Sequence, residues 1–161
     1  MTLEGKTGLI TGGCGGLGKA LAEAFLAEGA NVVVCDIRDQ LISDFQEQVA
    51  SGHGKRALAL KCDITDDAAL DNLFAKAKET FSKLDFVVNC AGMMDSFDPA
   101  GEVARSMWDR VMALNLTAPA MVTQRAVQAM IEGNVKGSIV NIASIASEST
   151  WRLLHPVYYW L

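Results

Sequence analysis

The sequence has few of the residues and runs that mark metal sites, nucleic-acid surfaces or membrane spans. It contains two histidines and four cysteines, and no two cysteines stand in a C-x-x-C spacing, so no metal site is predicted. The net charge of −5 argues against a nucleic-acid surface. No apolar run approaches the length that crosses a bilayer. The first residues lack a basic-then-apolar signal segment, which makes a cytoplasmic location the expectation.

Tyrosine is absent from the first 150 residues, whereas the segment 151–161 holds both tyrosines and two of the three tryptophans. This shift in composition predicts one domain at 1–150, followed by an atypical aromatic tail at 151–161. The overall content of 50% hydrophobic and 20% charged residues is that of an ordinary globular protein with a real core. Cys35, Cys62 and Cys90 each fall at the end of a strand-like run, where buried reduced thiols are expected.

Apolar runs alternate with helical patterns along the chain. Strands are predicted at Thr7–Thr11, Asn31–Asp36, Ala57–Lys61, Asp85–Asn89 and Ser138–Ala143, and helices at Leu17–Glu28, Ser43–Ala50, Asp66–Phe81 and Val103–Ile131. We expect Thr65 to be the N-cap of the third helix and Pro119 to bend the fourth. This alternation, with apolar strands, predicts an α/β fold: a doubly wound parallel sheet with helices on both faces.

The run from Thr11 to Gly18 is rich in glycine and links the first predicted strand to the first predicted helix. Such a junction places backbone N–H groups and a helix N-terminus around a phosphate. Glycine permits the tight turn and lets the backbone approach a pyrophosphate closely. A plain flexible turn has a similar composition, so the glycines alone leave that alternative open.

Asp36 ends the next apolar run, twenty positions after Gly16. Dinucleotide-binding folds keep at this place the carboxylate that binds the adenosine ribose. Because a carboxylate repels the extra phosphate of NADP, we expect NAD as the cofactor and NADP as the less favoured one. Arg38, two residues on, softens this preference. The alternative for Asp36 is a turn residue at a strand end.

Five motifs, in chain order, resemble the short-chain dehydrogenase/reductase family. They are Thr-Gly-x-x-x-Gly-x-Gly at 11–18, Cys-Asp-Ile at 62–64, Asn-Cys-Ala-Gly at 89–92, Asn115 within Ala-Leu-Asn-Leu-Thr, and Gly-Ser-Ile-Val-Asn-Ile-Ala-Ser at 137–144. The match extends from about Leu3 to Ser144. It implies a Rossmann-like sheet with strand order 3-2-1-4-5 and makes 1–150 a partial NAD(P)-binding domain, with the family's later strands missing.

The resemblance also implies a role for each motif. It assigns cofactor binding to Thr11, Gly12, Gly16, Leu17, Gly18, Asp36, Asp63, Ile64, Asn89, Ala91 and Gly92. It implies that Asn115 holds a water by distorting its helix, and that Ser144 donates a hydrogen bond to a substrate carbonyl. The residues alone leave plainer alternatives open: a helix-end carboxylate at Asp63, a simple turn at 89–92, an exposed helical amide at Asn115 and a turn serine at Ser144.

The family's chemistry requires a tyrosine and a lysine four residues later. Pro156-Val157-Tyr158 resembles the family's Pro-x-Tyr, which makes Tyr158 the candidate acid–base residue beside Ser144 and Asn115. The lysine would fall at position 162, and Tyr158 stands one place later than the family's usual distance from the serine. The alternative is that Tyr158 matches the motif by coincidence, within a tail foreign to the family.

The resemblance therefore implies an oxidoreductase that moves hydride between a nicotinamide cofactor and a small alcohol or ketone, this chain being an N-terminal portion with little turnover of its own. The alternative is a non-catalytic truncated isoform that binds dinucleotide or pairs with a full-length relative. The long helix at 103–131 is expected to pack against a second subunit in a homo-oligomer. An unrelated nucleotide-binding enzyme, such as a methyltransferase, is opposed by the motifs at 89–92 and 137–144.

Overall fold

The computed structural model describes residues 2–95 and 102–144. Within them, five parallel strands form one sheet in the order β3-β2-β1-β4-β5. The strands are β1 (Thr7–Thr11), β2 (Asn31–Asp36), β3 (Ala57–Lys61), β4 (Phe86–Asn89) and β5 (Ser138–Asn141). This arrangement confirms the predicted topology.

Helices connect the strands and cover both faces of the sheet. They are α1 (Gly16–Ala27), α2 (Asp39–Phe45), α3 (Ser51–His53), α4 (Asp67–Phe81), α5 (Arg105–Met112) and α6 (Ala118–Glu132), with π-helical segments at Gln46–Ala50 and Ala113–Thr117 and a 3₁₀ turn at Gly54–Arg56. None of the helices within the described ranges combines the length and apolar character that a bilayer crossing requires.

The core is divided by the sheet into two hydrophobic clusters. Neighbouring residues of a strand point to opposite faces, and in β1 the side chain of Leu9 joins one cluster while that of Ile10 joins the other. The first cluster packs under α4 and α6, and the second packs under α1 and α2. Because both faces are buried, the central strands carry consecutive apolar residues in their middle, which is why they are readable from the sequence.

Three helical predictions differ from the structure, and the first two concern helix starts. The second predicted helix begins at Asp39 rather than Ser43. The N-cap of α4 is Asp66, whose carboxylate accepts the N–H of Ala69 at 2.8 Å. The predicted cap Thr65 instead donates its hydroxyl to Asp63 at 2.7 Å.

The third difference concerns the predicted helix at 103–131. It is interrupted by the π-helical segment Ala113–Thr117 between α5 and α6. Pro119 lies in the first turn of α6, where its missing N–H costs nothing.

Two strand predictions were one or two residues too long. The strand β4 begins at Phe86 rather than Asp85, and β5 ends at Asn141 rather than Ala143. The register explains both bounds, because β4 and β5 pair from Phe86 with Ser138 to Asn89 with Asn141. The aromatic tail at 151–161 lies outside the described residues.

Asp85, which precedes β4, connects the start of β4 to the start of β1. Its carboxylate accepts a hydrogen bond from the Thr7 N–H at 2.9 Å and from Lys6 Nζ at 2.8 Å. Burial raises the pKa of Asp85, but these hydrogen bonds and the nearby Lys83 outweigh burial and hold that pKa below its ordinary value.

Candidate functional site

A cleft of about 850 Å³ lies where the strands end. Its walls are formed by the end of β2, the segments that follow the first four strands, one residue of α5, the start of the π-helical segment and the residue after β5. The lining residues are Gly12, Gly15–Gly18, Cys35–Arg38, Cys62–Thr65, Cys90–Met93, Arg110, Ala113, Leu114 and Ile142. The strand order reverses between β1 and β4. Ligands of doubly wound sheets bind at this point of reversal.

The turn after β1 packs so closely against its surroundings that two of its positions accept only glycine. Gly12 has a φ of +64°, and a Cβ there would lie 2.9 Å from the Cα of Ala91. A Cβ on Gly18 would overlap the carbonyl oxygen of Gly12. The glycines therefore bring the start of α1 against the end of β1 and against the loop after β4.

The N-terminus of α1 opens into the cleft without a side-chain cap. The N-cap residue is Gly15, which has no side chain to accept a hydrogen bond from the helix. The first N–H groups of a helix have no partner inside the helix, and the helix dipole gives them a partial positive charge. Gly16 and Leu17, the first residues of α1, are exposed. This end of the cleft suits an anion such as a phosphate.

Thr11 does not line the cleft, but it holds in place the loop after β4, which does. The Thr11 side chain is buried, and its Oγ1 accepts the N–H groups of Cys90 at 3.0 Å and Ala91 at 3.1 Å. These hydrogen bonds attach the loop after β4 to the end of β1. They hold Ala91 in the position where it contacts Gly12.

Asp36 is a buried carboxylate, 5% exposed, at the end of β2. Its Oδ1 accepts the backbone N–H and the Nε of Arg38, both at 3.1 Å, and its Oδ2 accepts Nη2 of the same arginine at 3.3 Å. These hydrogen bonds raise the pKa of the Arg38 guanidinium. Burial, together with the Asp36 charge, raises the pKa of the nearby Cys14 thiol to about 12. The site thus holds an ion pair beside a neutral thiol.

Asp63 is exposed at the end of the cleft beyond β3. Its Oδ1 accepts the backbone N–H of Thr65 at 2.9 Å and the Thr65 hydroxyl at 2.7 Å. Ile64, between them, is buried and lines the cleft. The Asp63 carboxylate therefore belongs to a local turn before α4, in which one of its oxygens accepts both hydrogen bonds.

Asn89 lies beneath the cleft rather than in its wall. Its Nδ2 donates to Oδ1 of Asn141 at 2.8 Å and to Oγ1 of Thr123 at 3.3 Å. The side chain thereby connects β4 with β5 and α6. Its buried Oδ1 has no hydrogen-bond partner among the described residues.

Asn115 lies in the π-helical segment, partly buried, and binds the loop after β4. Its Oδ1 accepts the N–H of Met93 at 3.0 Å and its Nδ2 donates to the Met93 carbonyl at 2.9 Å. A side chain that binds both polar groups of one residue's backbone fixes the orientation of that backbone. The exposed helical amide, left open on sequence grounds, does not describe this residue.

The proposed proton-transfer residues are not brought together within the described residues. Ser144 is exposed and follows the end of β5, outside the wall of the cleft. Asn115 does not line the cleft itself, but its side chain binds the backbone of Met93, which does. Tyr158 lies outside the described residues, so its placement stays a prediction.

Sequence reasoning missed the contribution to the cleft of three helical residues between 110 and 114 and of three cysteines. Arg110, Ala113 and Leu114 line the cleft, and their spacing of three and four places them on one face of a helix. That spacing was the available signal. Cys35, Cys62 and Cys90 also line the cleft, and Cys35 and Cys62 each stand directly before one of the candidate carboxylates.

A family model described as short chain dehydrogenase matches residues 6–158. The chain is 46% identical over 158 residues to the short chain dehydrogenase/reductase dpfgG of Gibberella zeae, and the match covers 97% of this chain and 58% of that protein. It is 37% identical over 146 residues to a sorbitol dehydrogenase of Cereibacter sphaeroides, covering 91% of this chain and 55% of that protein.

Among solved structures, the chain resembles a short-chain dehydrogenase/reductase from Brucella melitensis described as a glucose/ribitol dehydrogenase. The TM-score is 0.83 at 30% sequence identity, and the match covers 96% of this chain and 62% of that chain. The chain thus spans less than two thirds of the length of each of these three proteins.

Proposed function

The chain belongs to the short-chain dehydrogenase/reductase family, and we propose that its cleft binds a nicotinamide dinucleotide, NAD in preference to NADP. The observation that carries this proposal is the meeting of two features in one cleft: the uncapped N-terminus of α1 and the buried carboxylate of Asp36. The first suits a diphosphate, and the second suits the hydroxyls of a ribose. When bound, the nicotinamide supplies or accepts the hydride.

The diphosphate would lie against the backbone of Gly16, Leu17 and Gly18 at the start of α1. The close packing of Gly12 and Gly18 leaves this backbone uncovered by side chains, which is what the approach of a phosphate requires. At the other end, Asp63, oriented by Thr65, presents its second oxygen for the amino group of an adenine. Ile64 and Leu114 offer apolar walls beside it.

The preference for NAD rests on Asp36, and Arg38 limits it. The Asp36 carboxylate repels a second negative group placed on the ribose. Arg38, whose side chain is 65% exposed, already pairs with both oxygens of that carboxylate, so it offsets part of the repulsion. We therefore propose a moderate preference for NAD rather than exclusion of NADP.

The reaction that follows from the family is the interconversion of a small alcohol and its ketone. We assign proton transfer to Tyr158, a hydrogen bond to the substrate oxygen to Ser144, and positioning to Asn115, which holds Met93 in the loop after β4. We propose this reaction for a longer protein that contains the segment. We also propose that residues 1–150 form a dinucleotide-binding domain and that residues 151–161 form a separate segment.

A second candidate function, subunit pairing through α6 and the π-helical segment before it, is favoured by exposed apolar side chains there. Ile131 is 73% exposed, Val127 42% and Leu116 48%. Val127 and Ile131 are four residues apart and share one face of α6. We propose that this face contacts a second copy of the chain or a longer relative.

The proposed function is tested by titrating NADH into the purified chain and following the nicotinamide fluorescence. We expect saturable enhancement with the native chain. In Gly18→Ala the new Cβ displaces the turn, and affinity should fall by about tenfold or more. Gly52→Ala is the matched control, because a Cβ there has nothing within 4 Å.

Circular dichroism must show that both variants are folded. If Gly18→Ala and Gly52→Ala bind NADH as well as the native chain does, the turn does not hold the cofactor, and the proposal is wrong.

A further inference from the structure

Two cysteines lie side by side at the adenosine end of the cleft. Cys35 is in β2, and Cys62 directly follows β3. Both are buried, both line the cleft, and both belong to the same hydrophobic cluster. The two thiols lie just beneath the wall of the cleft, and Cys62, at 4% exposure, is the more accessible one, because Cys35 is 0% exposed.

The backbone holds the two segments together. β2 and β3 are parallel neighbours, with Cys35 opposite Leu60 and Asp36 opposite Lys61. Beyond that register, the N–H of Cys62 donates to the carbonyl of Asp36 at 3.0 Å. Leu60 lies opposite Cys35, and Cys62 follows Leu60 by two residues, directly after the end of β3.

The two thiols pack in one cluster on the same face of the sheet, and their interaction makes them chemically unequal. The interaction with Cys62, together with burial, raises the pKa of Cys35, and the interaction with Cys35 lowers the pKa of Cys62. A thiol with a lowered pKa is the more reactive one, because the thiolate is the nucleophile. Burial raises the pKa of Cys14 and of Cys90, so Cys62 is the one thiol of the four whose pKa is lowered, and it is the expected site of the first attack.

We propose that Cys35 and Cys62 form an oxidisable dithiol that a hydroperoxide converts into a disulfide across β2 and β3. The Cys62 thiolate attacks the peroxide, the O–O bond breaks, and a sulfenic acid forms as the leaving oxygen takes a proton. The Cys35 sulfur then displaces water from that sulfenic acid and forms the S–S bond. Two thiols lose two electrons and two protons, the peroxide gains them, and a dithiol reductant reverses the step.

The disulfide alters the cleft because the two sulfurs are offset along the strands. Diagonal neighbours stand farther apart than a disulfide spans, so the backbone must move to join them. The segment at 62–65 lies beyond the end of β3 and has fewer backbone bonds to hold it than β2 has. The movement therefore displaces Asp63 and its turn relative to Asp36, and dinucleotide affinity falls. This last consequence rests on the proposed function.

The test uses the full chain with Cys14→Ala and Cys90→Ala, in which Cys35 and Cys62 form the single available intramolecular pair. After treatment with hydrogen peroxide, intact mass is expected to drop by two hydrogen atoms and both free thiols to disappear, with recovery on adding dithiothreitol. Cys35→Ser and Cys62→Ser in the same background are the controls, and neither can lose two hydrogens in this way. Circular dichroism confirms that each variant is folded.

Two readouts then follow the cleft. The backbone amide signals of Asp36 and Asp63 should shift on oxidation, and the dissociation constant for NADH should rise by about tenfold and return on reduction. Persistence of both free thiols, or conversion of Cys62 to a sulfinic acid without the mass loss, overturns the proposal. A disulfide that leaves the amide signals unchanged overturns its effect on the cleft. If the reduced chain fails to bind NADH, the proposed function fails, while mass and amide signals still decide the dithiol.

Discussion

At the scale of single residues, the ion pair between Asp36 and Arg38 determines what the cleft accepts. The carboxylate faces the proposed position of a ribose, and the guanidinium reduces its negative field without removing it. Asp36 is a candidate from the sequence because it is a strand-end carboxylate at the expected distance from a glycine-rich turn. Arg38 is a candidate because it follows Asp36 by two residues. Their mutual pairing is not readable there, since it depends on the side-chain conformation of Arg38.

We expect Asp36→Ala to lower the affinity for NADH by about tenfold or more, because hydrogen bonds to a charged group contribute about 1.5–3 kcal/mol. The same variant should bind NADPH more tightly than the native chain, since the repulsion is gone. Arg38→Ala should have the opposite effect and increase the ratio of the affinity for NADH to the affinity for NADPH. Parallel titrations with the two cofactors measure this ratio, and an unchanged ratio in both variants would refute the role of the pair.

The pKa of Asp85 makes stability depend on pH. Its folded-state pKa lies below its ordinary value, so the stability it contributes is present above the unfolded-state pKa and is lost as the pH falls through the folded-state pKa. At pH 7, Asp85→Asn should therefore lower the free energy of unfolding by about 1–3 kcal/mol. The measurement is a urea titration, in which the midpoint of the variant should lie at a lower urea concentration. At a pH below the folded-state pKa, the native chain should have lost most of this advantage.

The control for that experiment is Asp39→Asn, which removes an exposed ion pair with Lys61. Exposed pairs of this kind contribute about 0–1 kcal/mol, so the urea midpoint should hardly move. Equal losses of stability in the two variants at pH 7 would show that the buried hydrogen bonds of Asp85 have no special effect.

At the scale of elements, the helix ends and the π-helical segment separate what the sequence predicts from what it does not. Strand positions follow from apolar runs buried on both faces. The N-cap of α4 does not, because Thr65 and Asp66 are both good caps, and the hydrogen bond from Thr65 to Asp63 decides between them. The interruption at 113–117 contains Asn115, where the family resemblance implied a distorted helix, and it does not lie at Pro119, where a bend was expected from the residue type alone. The long-range contact of Asn115 with Met93 is not readable from the sequence.

Asn115→Ala should loosen the loop after β4, because it leaves the N–H and carbonyl of Met93 without their partner. We expect a loss of about 1–3 kcal/mol in stability and faster amide hydrogen exchange at Met93. Asn72→Ala, on the exposed side of α4, is the matched control and should leave that exchange rate as it is. Unchanged exchange at Met93 in the Asn115 variant would contradict the positioning role.

At the scale of the whole molecule, the sheet presents β5 as an edge among the described strands, and α6 presents an apolar face. The family resemblance implied both, through the strand order and the long helix. It did not predict that Arg110, Ala113 and Leu114 line the cleft, because the long helix was expected to pack against a second subunit. Their helical spacing places them on one face, but which part of the chain that face meets depends on residues far apart in the sequence.

Ile131→Glu should weaken self-association of the chain, because it places a charge on the exposed apolar face of α6. Sedimentation velocity over a range of concentrations measures the effect, with a shift toward the monomer expected for the variant. Asn72→Glu is the matched control, since it adds the same charge at an exposed position of a different helix, α4. A native chain that is monomeric at every concentration would remove the basis for subunit pairing.

The central claim, that the cleft between the ends of β1 and β4 binds a dinucleotide, is tested most directly by mapping backbone amide shifts on addition of NAD. The account predicts the largest shifts at Gly16, Leu17 and Gly18, at the start of α1, and at Asp36 at the end of β2. It predicts little change at Gly52, which lies outside the cleft. Shifts confined to other surfaces, or none at saturating NAD, would contradict it.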